Sequence, residues 1–394
     1  MFTRSGEDMK NWVPPSYRHA SRFLTLVAVL CLLLGIAVVV PQRPSSAATP
    51  LTSPNTCAPT TTPTATVDGS LDSVFANQLG PAWIGGDMAY STTLPDGREV
   101  FDFSDTLIGT AKPNGTANIT GFIHNSELVG IIPNLKTNYV GTPTSAQTLI
   151  PDSTPGDGWE VAATDVENGL ELIFVNEYVE TPGVFFGTFT GKSGIALFAL
   201  SSTGLPSFRT ITPVPTDTTT TWGNAMTHDG TYSYIYGTDI VPSTHKFIGM
   251  KVARVPLGLT GALSHWQYWN GTTWLAGSLN AVPMGSSNLF TGVIPQPGRP
   301  GYESVIKAGG GSAVTIDVSY ACSPQGPWSV PPIPVYTVPG VKTYPNEIAY
   351  TPTFHPELSG TGGLVISFSI NSLNGLNALK QNIHQYQPRF LLLG

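Results

Sequence analysis

The stretch GGDMAYSTTLPDGREVFDFSDTLIG, Gly85 to Gly109, carries two alternating runs around a Leu94-Pro95-Asp96-Gly97 turn. Alternation on either side of such a turn predicts a β-hairpin. Folding the arms about Asp96 sets Asp87 opposite Asp105 at the open end. Directly opposed residues hold their Cβ atoms about 4.5–5.5 Å apart, and like charges there are unfavourable. Two readings follow. Either the aspartates splay into water, one capping a turn, or the site uses them as a pair.

Working outward, the 394-residue chain is 41% hydrophobic and only 11% charged, with abundant Gly and Pro, which is an all-β, turn-rich profile with ample core material. Residues 1–48 hold five basic and two acidic side chains, so the net charge of −7 leaves the remainder at about −10. An acidic body without Lys/Arg clusters argues against nucleic acid as a partner. Neither a G-x-G-x-x-G loop nor a P-loop is present.

Arg4, Lys10, Arg18 and Arg22 precede an apolar run from Phe23 to Val40, broken by Thr25 and Gly35. This is read as a basic segment (1–22) and a transmembrane or signal helix (23–40), with Ser46-Ala47-Ala48 as a cleavage site if the signal is cut. Either way the body is exported, to the cell surface or the medium. Residues 41–66 read as a disordered Pro/Thr/Ser linker and 67–394 as the folded domain. In an exported chain Cys57 and Cys322 are expected to pair, against two free thiols.

The hairpin recurs. WEVAATDVENGLELIFVNE (159–177), WGNAMTHDGTYSYIYGTD (222–239), SSNLFTGVIPQPGRPGYESVIKAG (287–309) and IAYTPTFHPELSGTGGLVISFSIN (348–371) each show strand, glycine turn, strand. Gly97, Gly169, Gly230, Gly301 and Gly362 are separated by 72, 61, 71 and 61 residues. Units of that length with about four strands each predict a five-bladed β-propeller, closed by YQPRFLLLG at the C-terminus. Two β-sandwiches are the alternative, disfavoured by the regular spacing.

In a propeller the polar strand ends collect at one funnel. Asp87, Asp105, Glu177, Asp239 and Asn371 are placed there, with Trp83, Trp159, Trp222 and Tyr350 close by. Acids beside aromatic platforms suit a carbohydrate, although strand aromatics serve core packing equally. His124, beside Asn125, is either a sugar-hydroxyl partner or a packed histidine. His355 supports a central ion or sugar, or is hydrogen-bonded structure. No histidine pair has metal-ligand spacing, so no metal or cofactor is expected. A serine-hydrolase elbow is absent.

The string D-x-x-Y-S-x-x-L-P-D-G-R-x-x-x-x-F-S-D-T (Asp87 to Thr106), FIHNSELV (122–129) and the ending TPTFHPELSGTGGLVISFSIN resemble a bacterial family of five-bladed, glycosidase-like propellers that includes the actinobacterial endo-D-arabinanases. The likeness covers residues 68–394 in outline. It implies a catalytic aspartate pair on the first blade, matching Asp87 and Asp105, and a polysaccharide or oligosaccharide partner, such as arabinan. Glycoside hydrolysis needs two carboxyl groups flanking the scissile bond, and close coupling raises one pKa to supply the acid. The expectation is an exported or membrane-tethered monomeric glycoside hydrolase acting on a cell-wall or environmental polysaccharide. The alternative is a non-catalytic propeller binding glycans or proteins at the cell surface.

Overall fold

In the computed structural model, residues 57–180, 187–215, 217–241, 246–284, 289–306, 314–339, 346–360 and 362–394 are described. The basic segment, the apolar run 23–40 and most of the linker lie outside them. Among the described residues no helix is long and apolar enough to cross a membrane.

The chain is all-β. Strand β1 (Ala65–Val67) is followed by a short helix, α1 (Gly69–Ala76). Asp68 caps α1 by accepting from Ser70 and Leu71 N–H at 3.0 and 3.1 Å. The helix buries Phe75 against Trp83, Phe101 and Phe390, a side chain whose burial stabilises by about 1.5–3 kcal/mol.

The opening hairpin forms as β2 (Trp83–Gly86) with β3 (Tyr90–Thr93), returning as β4 (Glu99–Phe103) with β5 (Thr106–Ala111). Tyr90 pairs with Asp102 and Gly86 with Thr106, both centred on Asp96. The turn glycine Gly97 sits at φ 82°, where a side chain would be strained. β6 (Ala117–Ile123) pairs with β5 in a three-stranded sheet β2-β5-β6, and β7 (Ser126–Ile131) and β8 (Asn134–Asn138) extend β3 and β4 into a four-stranded sheet β3-β4-β7-β8; the two run in line and are together called the first sheet. Its ladders break at one level, between Gly86 and Tyr90, between Phe103 and Thr106, and between Ile123 and Ser126. Register is kept across each gap, since Phe103 pairs with Ser126 and Thr106 with Ile123. Met88, at φ 64°, lies in the left-handed region inside the first gap.

Three sheets follow in simple strand order. The second is β9 (Asp157–Glu167), β10 (Leu170–Val179), β11 (Thr188–Ala199) and β12 (Ser207–Val214). The third is β13 (Thr220–His228), β14 (Tyr232–Val241), β15 (Lys246–Pro256), β16 (Gln267–Trp269) and β17 (Trp274–Ala276). The fourth is β18 (Phe290–Pro295), β19 (Tyr302–Ile306), β20 (Thr315–Ala321) and β21 (Ile333–Thr337). The last holds β22 (Glu347–Gly360), β23 (Gly363–Ser372) and β24 (Arg389–Leu393), with β1 added at its outer edge. A helix α2 (Leu376–Gln381) and a 3-10 turn (Ile383–Tyr386) precede β24.

All four later hairpins read from the sequence are present as the strand pairs β9–β10, β13–β14, β18–β19 and β22–β23. Ala65 pairs with Leu393, so the first strand closes the last sheet. First strands touch in succession: β3 meets β9, β9 meets β13, β13 meets β18, β18 meets β22, and β22 returns to β3. A cavity of about 1150 Å³ lies among the later halves of these strands, lined in part by Thr92, Asp165, His228 and Thr353.

Part of the linker departs from expectation. Residues 57–66 lie against the body, held by the Cys57–Cys322 disulfide and by Gln296 Nε2, which donates to the Cys57 carbonyl at 2.7 Å. The physical reason is the staple itself together with pairing of β1 to β24, which satisfies backbone groups that a free linker would leave to water.

Candidate active site

The break in the first sheet is where the acids gather. Asp87 N–H donates to the Asp105 carbonyl at 3.3 Å, and Ser104 N–H to the Asp87 carbonyl at 3.0 Å. The hairpin thus puts the two aspartates across from each other. Asp87 is 8% exposed, and its Oδ2 accepts from the Tyr350 hydroxyl at 2.7 Å. Its Oδ1 is buried without a partner. Burial, then the Asp105 charge, push the Asp87 carboxyl up to about 8, against the hydrogen bonds of Tyr350 and Tyr386. The Tyr386 hydroxyl itself donates to the Asp105 carbonyl at 3.0 Å.

The Asp105 side chain is more open, at 36% exposure, with its Oδ1 3.3 Å from His124 Nδ1. Burial works to lower the His124 pKa, but hydrogen bonding and charge from Asp105, with smaller help from Asp152 and Glu180, raise it overall. The imidazole rests on Gly158, where a Cβ would come within 2.6 Å of its Cγ.

A third carboxyl completes the cluster. Glu160, on β9 and partly exposed, is pushed well above the usual range by burial and then by the charges of Asp105 and Asp87. Asp87 and Glu160 are thus held protonated to higher pH than free carboxyls, beside Asp105, whose charge contributes to both shifts. Such a set can present a proton donor and an ionised carboxylate together, the pairing that cleavage of a glycosidic bond requires.

The other sequence-selected residues are distributed differently. Tyr350 belongs to the cluster, and Asn371 Nδ2 donates to its hydroxyl at 3.4 Å. Trp83, Trp159 and Trp222 are buried in the core. Trp83 packs on Phe103 at 5.0 Å between ring centres, Trp222 packs on Tyr268 at 5.4 Å, and Trp159 joins the cluster of Ile173 and Phe174. None offers a ring face to a sugar, a correction that follows from their burial at 1%, 5% and 1% exposure among other large side chains.

Asn125 is buried and acts as a clamp, accepting from Ile150 N–H at 2.6 Å and donating to the Trp159 carbonyl at 3.0 Å. Glu177 is buried in a network with Ser153, Thr190 and Lys192, its Oε2 2.7 Å from Lys192 Nζ. Asp239 shares buried Lys251 with Asp217, at 3.1 and 2.6 Å. Each acid is engaged by a cation of its own sheet. His355 is fully buried, bonded to Ser367 Oγ at 2.7 Å and to Ser91, with Glu357 3.6 Å away. It is hydrogen-bonded structure. The sequence reading missed Glu160. The available signal was parity, because a core-facing Trp159 turns residue 160 to the opposite face.

Residues 68–393 match the model of a family described as "Domain of unknown function (DUF5005)". The match identifies that family, not the endo-D-arabinanase subgroup. No curated protein matches the chain. Among solved structures, a "putative hydrolase" from Bacteroides ovatus is 18% identical at a TM-score of 0.67, covering 84% of this chain and 90% of that one. The GH43_1 enzyme from Xanthomonas citri, complexed with xylotriose, is 11% identical at a TM-score of 0.42, covering 81% and 91%. A family 117 glycoside hydrolase, Zg3597 from Zobellia galactanivorans, is 11% identical at a TM-score of 0.42, covering 80% and 86%. The likeness to the Bacteroides structure is one of fold.

Proposed function

We propose, starting from the fact that the chain belongs to the DUF5005 family, that it is a five-bladed β-propeller glycoside hydrolase whose chemistry is carried by Asp87, Asp105 and Glu160. The single observation behind this reading is the pairing of Asp87 with Asp105 at the break in the first sheet, where the charges of both reach Glu160 on the second. Closure of the first strands into a ring supports the propeller, each sheet being one blade.

The roles follow from access and charge. Glu160, partly exposed and raised, is the proton donor to the leaving oxygen. Asp105, far more open than Asp87, is the carboxylate that acts as base or nucleophile, with His124 fixing its orientation. Asp87, buried and held by Tyr350, is the positioning acid whose charge state tunes both. The aspartate pair implied by the resemblance thereby becomes a triad with the donor on the second sheet.

The substrate we infer is a cell-wall or environmental polysaccharide, arabinan included. We place the protein outside the cytoplasm, at the surface or secreted, on the apolar run 23–40 and the Cys57–Cys322 disulfide. A non-catalytic propeller binding glycans or proteins is the weaker reading, because Trp83, Trp159 and Trp222, the rings the sequence offered as stacking platforms, are buried. A reducing-sugar assay of the full chain against a panel of plant, algal and bacterial wall polysaccharides tests the proposal. Release from at least one substrate is expected. No release from any, alongside measurable binding to one, would favour the non-catalytic module.

A further inference from the structure

A second set of acids lies away from this site, between the first two sheets. Asp102 on β4 pairs across the ladder with Glu127 on β7, and Glu127 pairs with Asn138 on β8. The same face of the first sheet carries Val100 and Val129, which pack with Leu94 against Val166, Leu200 and Leu205 of the second sheet and the loop beyond β11. Glu171, on β10, meets the row from the opposite side. One oxygen from each of Asp102, Glu127 and Glu171 lies within 4.8 Å of the other two. All three residues are buried: Asp102 and Glu171 are 0% exposed and Glu127 is 1%.

Acidic residues in company do not by themselves make a site, and the decisive feature here is what their oxygens lack. Both oxygens of Asp102, both of Glu171 and Oε1 of Glu127 are buried without a hydrogen-bond partner. The remaining oxygen, Glu127 Oε2, accepts from Asn138 Nδ2 at 2.7 Å, and that amide also donates to the Pro206 carbonyl at 2.9 Å. Glu127 is thus held by Asn138 through one oxygen, while its other oxygen is left without a partner. The Thr164 hydroxyl, on β9, is also buried and unpartnered, and it lies close enough to Asp102 to act on its carboxyl. Buried polar groups are nearly always satisfied, and a buried carboxylate without a counter-charge is far costlier than a neutral group.

We propose that Asp102, Glu127, Glu171 and Thr164 form a buried calcium site that locks the first sheet to the second. Five free carboxylate oxygens and one hydroxyl supply six hard donors, the lower end of the six to eight that calcium takes. Calcium–oxygen distances are about 2.3–2.6 Å, so ligands on opposite sides of the ion stand about 4.8 Å apart. Magnesium binds at about 2.0–2.1 Å and keeps several waters, which suits a wider, wetter pocket than this one. Zinc would call for nitrogen or sulfur donors. The site is structural: its ligands lie at a sheet interface and are no part of the Asp87–Asp105–Glu160 cluster.

The test uses the full chain, purified with calcium and desalted into metal-free buffer. Elemental analysis should find about one calcium per chain. EDTA should lower the melting temperature, and calcium at about 100 times its Kd should restore about 5 °C, with equal magnesium restoring much less. Glu171→Gln keeps the side chain's shape and removes one buried charge. Its EDTA-treated form should melt no lower than the treated wild type, retain no calcium, and show no calcium-dependent shift. Absence of retained calcium together with an unshifted melting temperature would overturn the proposal. So would a Glu171→Gln protein that binds and responds like the wild type. Equal stabilisation by magnesium would overturn the assignment to calcium.

Discussion

Replacing Asp87 by Asn probes the cluster through the pH dependence of stability. In the folded protein the Asp87 carboxyl titrates at about 8, against 3.8 for the free group. A carboxyl raised on folding binds more protons folded than unfolded between those values, so stability falls as pH rises through the window and levels off above it. From pH 3.8 to pH 7, at 1.36 kcal/mol per unit, the wild type loses about 4 kcal/mol through this group alone. Asn is the uncharged mimic of the protonated acid: its oxygen can accept from Tyr350, and its amide stands where the proton was. Asp87→Asn should therefore match the wild type near pH 4 and exceed it by up to about 4 kcal/mol at pH 7. Urea unfolding at unit intervals from pH 4 to pH 8 gives the comparison. Asp105→Asn should flatten part of the same slope, since the Asp105 charge is the second cause of the shift. An advantage of Asp87→Asn that does not grow with pH, or a loss of stability at pH 7, would refute the reasoning.

Gly158→Ala should displace the His124 ring, because the added Cβ meets it at 2.6 Å; turnover is expected to drop about 10²-fold with little change in melting temperature. Unchanged kinetics would show that His124 does not position Asp105. Removing the disulfide by Cys57→Ser with Cys322→Ser should cost about 2–5 kcal/mol in chemical unfolding, since the bond closes a separation of 265 residues; a cost below that range would show that residues 57–66 contribute little to the fold. Lys251→Met leaves Asp217 and Asp239 without their shared cation and should destabilise by about 3–5 kcal/mol. Asp217 is held at about 2, so the wild type's share of this stability should fade only as pH drops from about 4 toward 2.

Sheet architecture was legible because hairpin register is a matter of parity. Once Asp96 is the centre of the turn, the partner of every residue from Gly86 to Thr93 is set, and Asp87 must face the Asp105 backbone. The recurrence of glycine turns carried the same logic into four further hairpins. What sequence left open was which face of a strand meets a neighbouring sheet. Trp83, Trp159 and Trp222 look like ligand platforms when only residue type is read, and they are core because the apolar clusters around them take the large rings. Glu177 and Asp239 look free until Lys192 and Lys251 arrive from the next strand of the same sheet. The Asp102–Glu127 pairing is a register relation within one sheet, whereas Glu171 joins it only through contact between sheets, which no local pattern encodes. The short helix α1 had a readable cap in Asp68, but its eight residues are too few to show a helical period.

Asp105 and Glu160 are proposed to carry the chemistry as one unit, and turnover of their variants on the polysaccharide found by the screen measures this. Asp105→Asn and Glu160→Gln should each lower kcat about 10²–10⁴-fold while circular dichroism and melting behaviour stay native, and the double variant should be little worse than either single one. Full turnover in a folded Glu160→Gln or Asp105→Asn protein would contradict it.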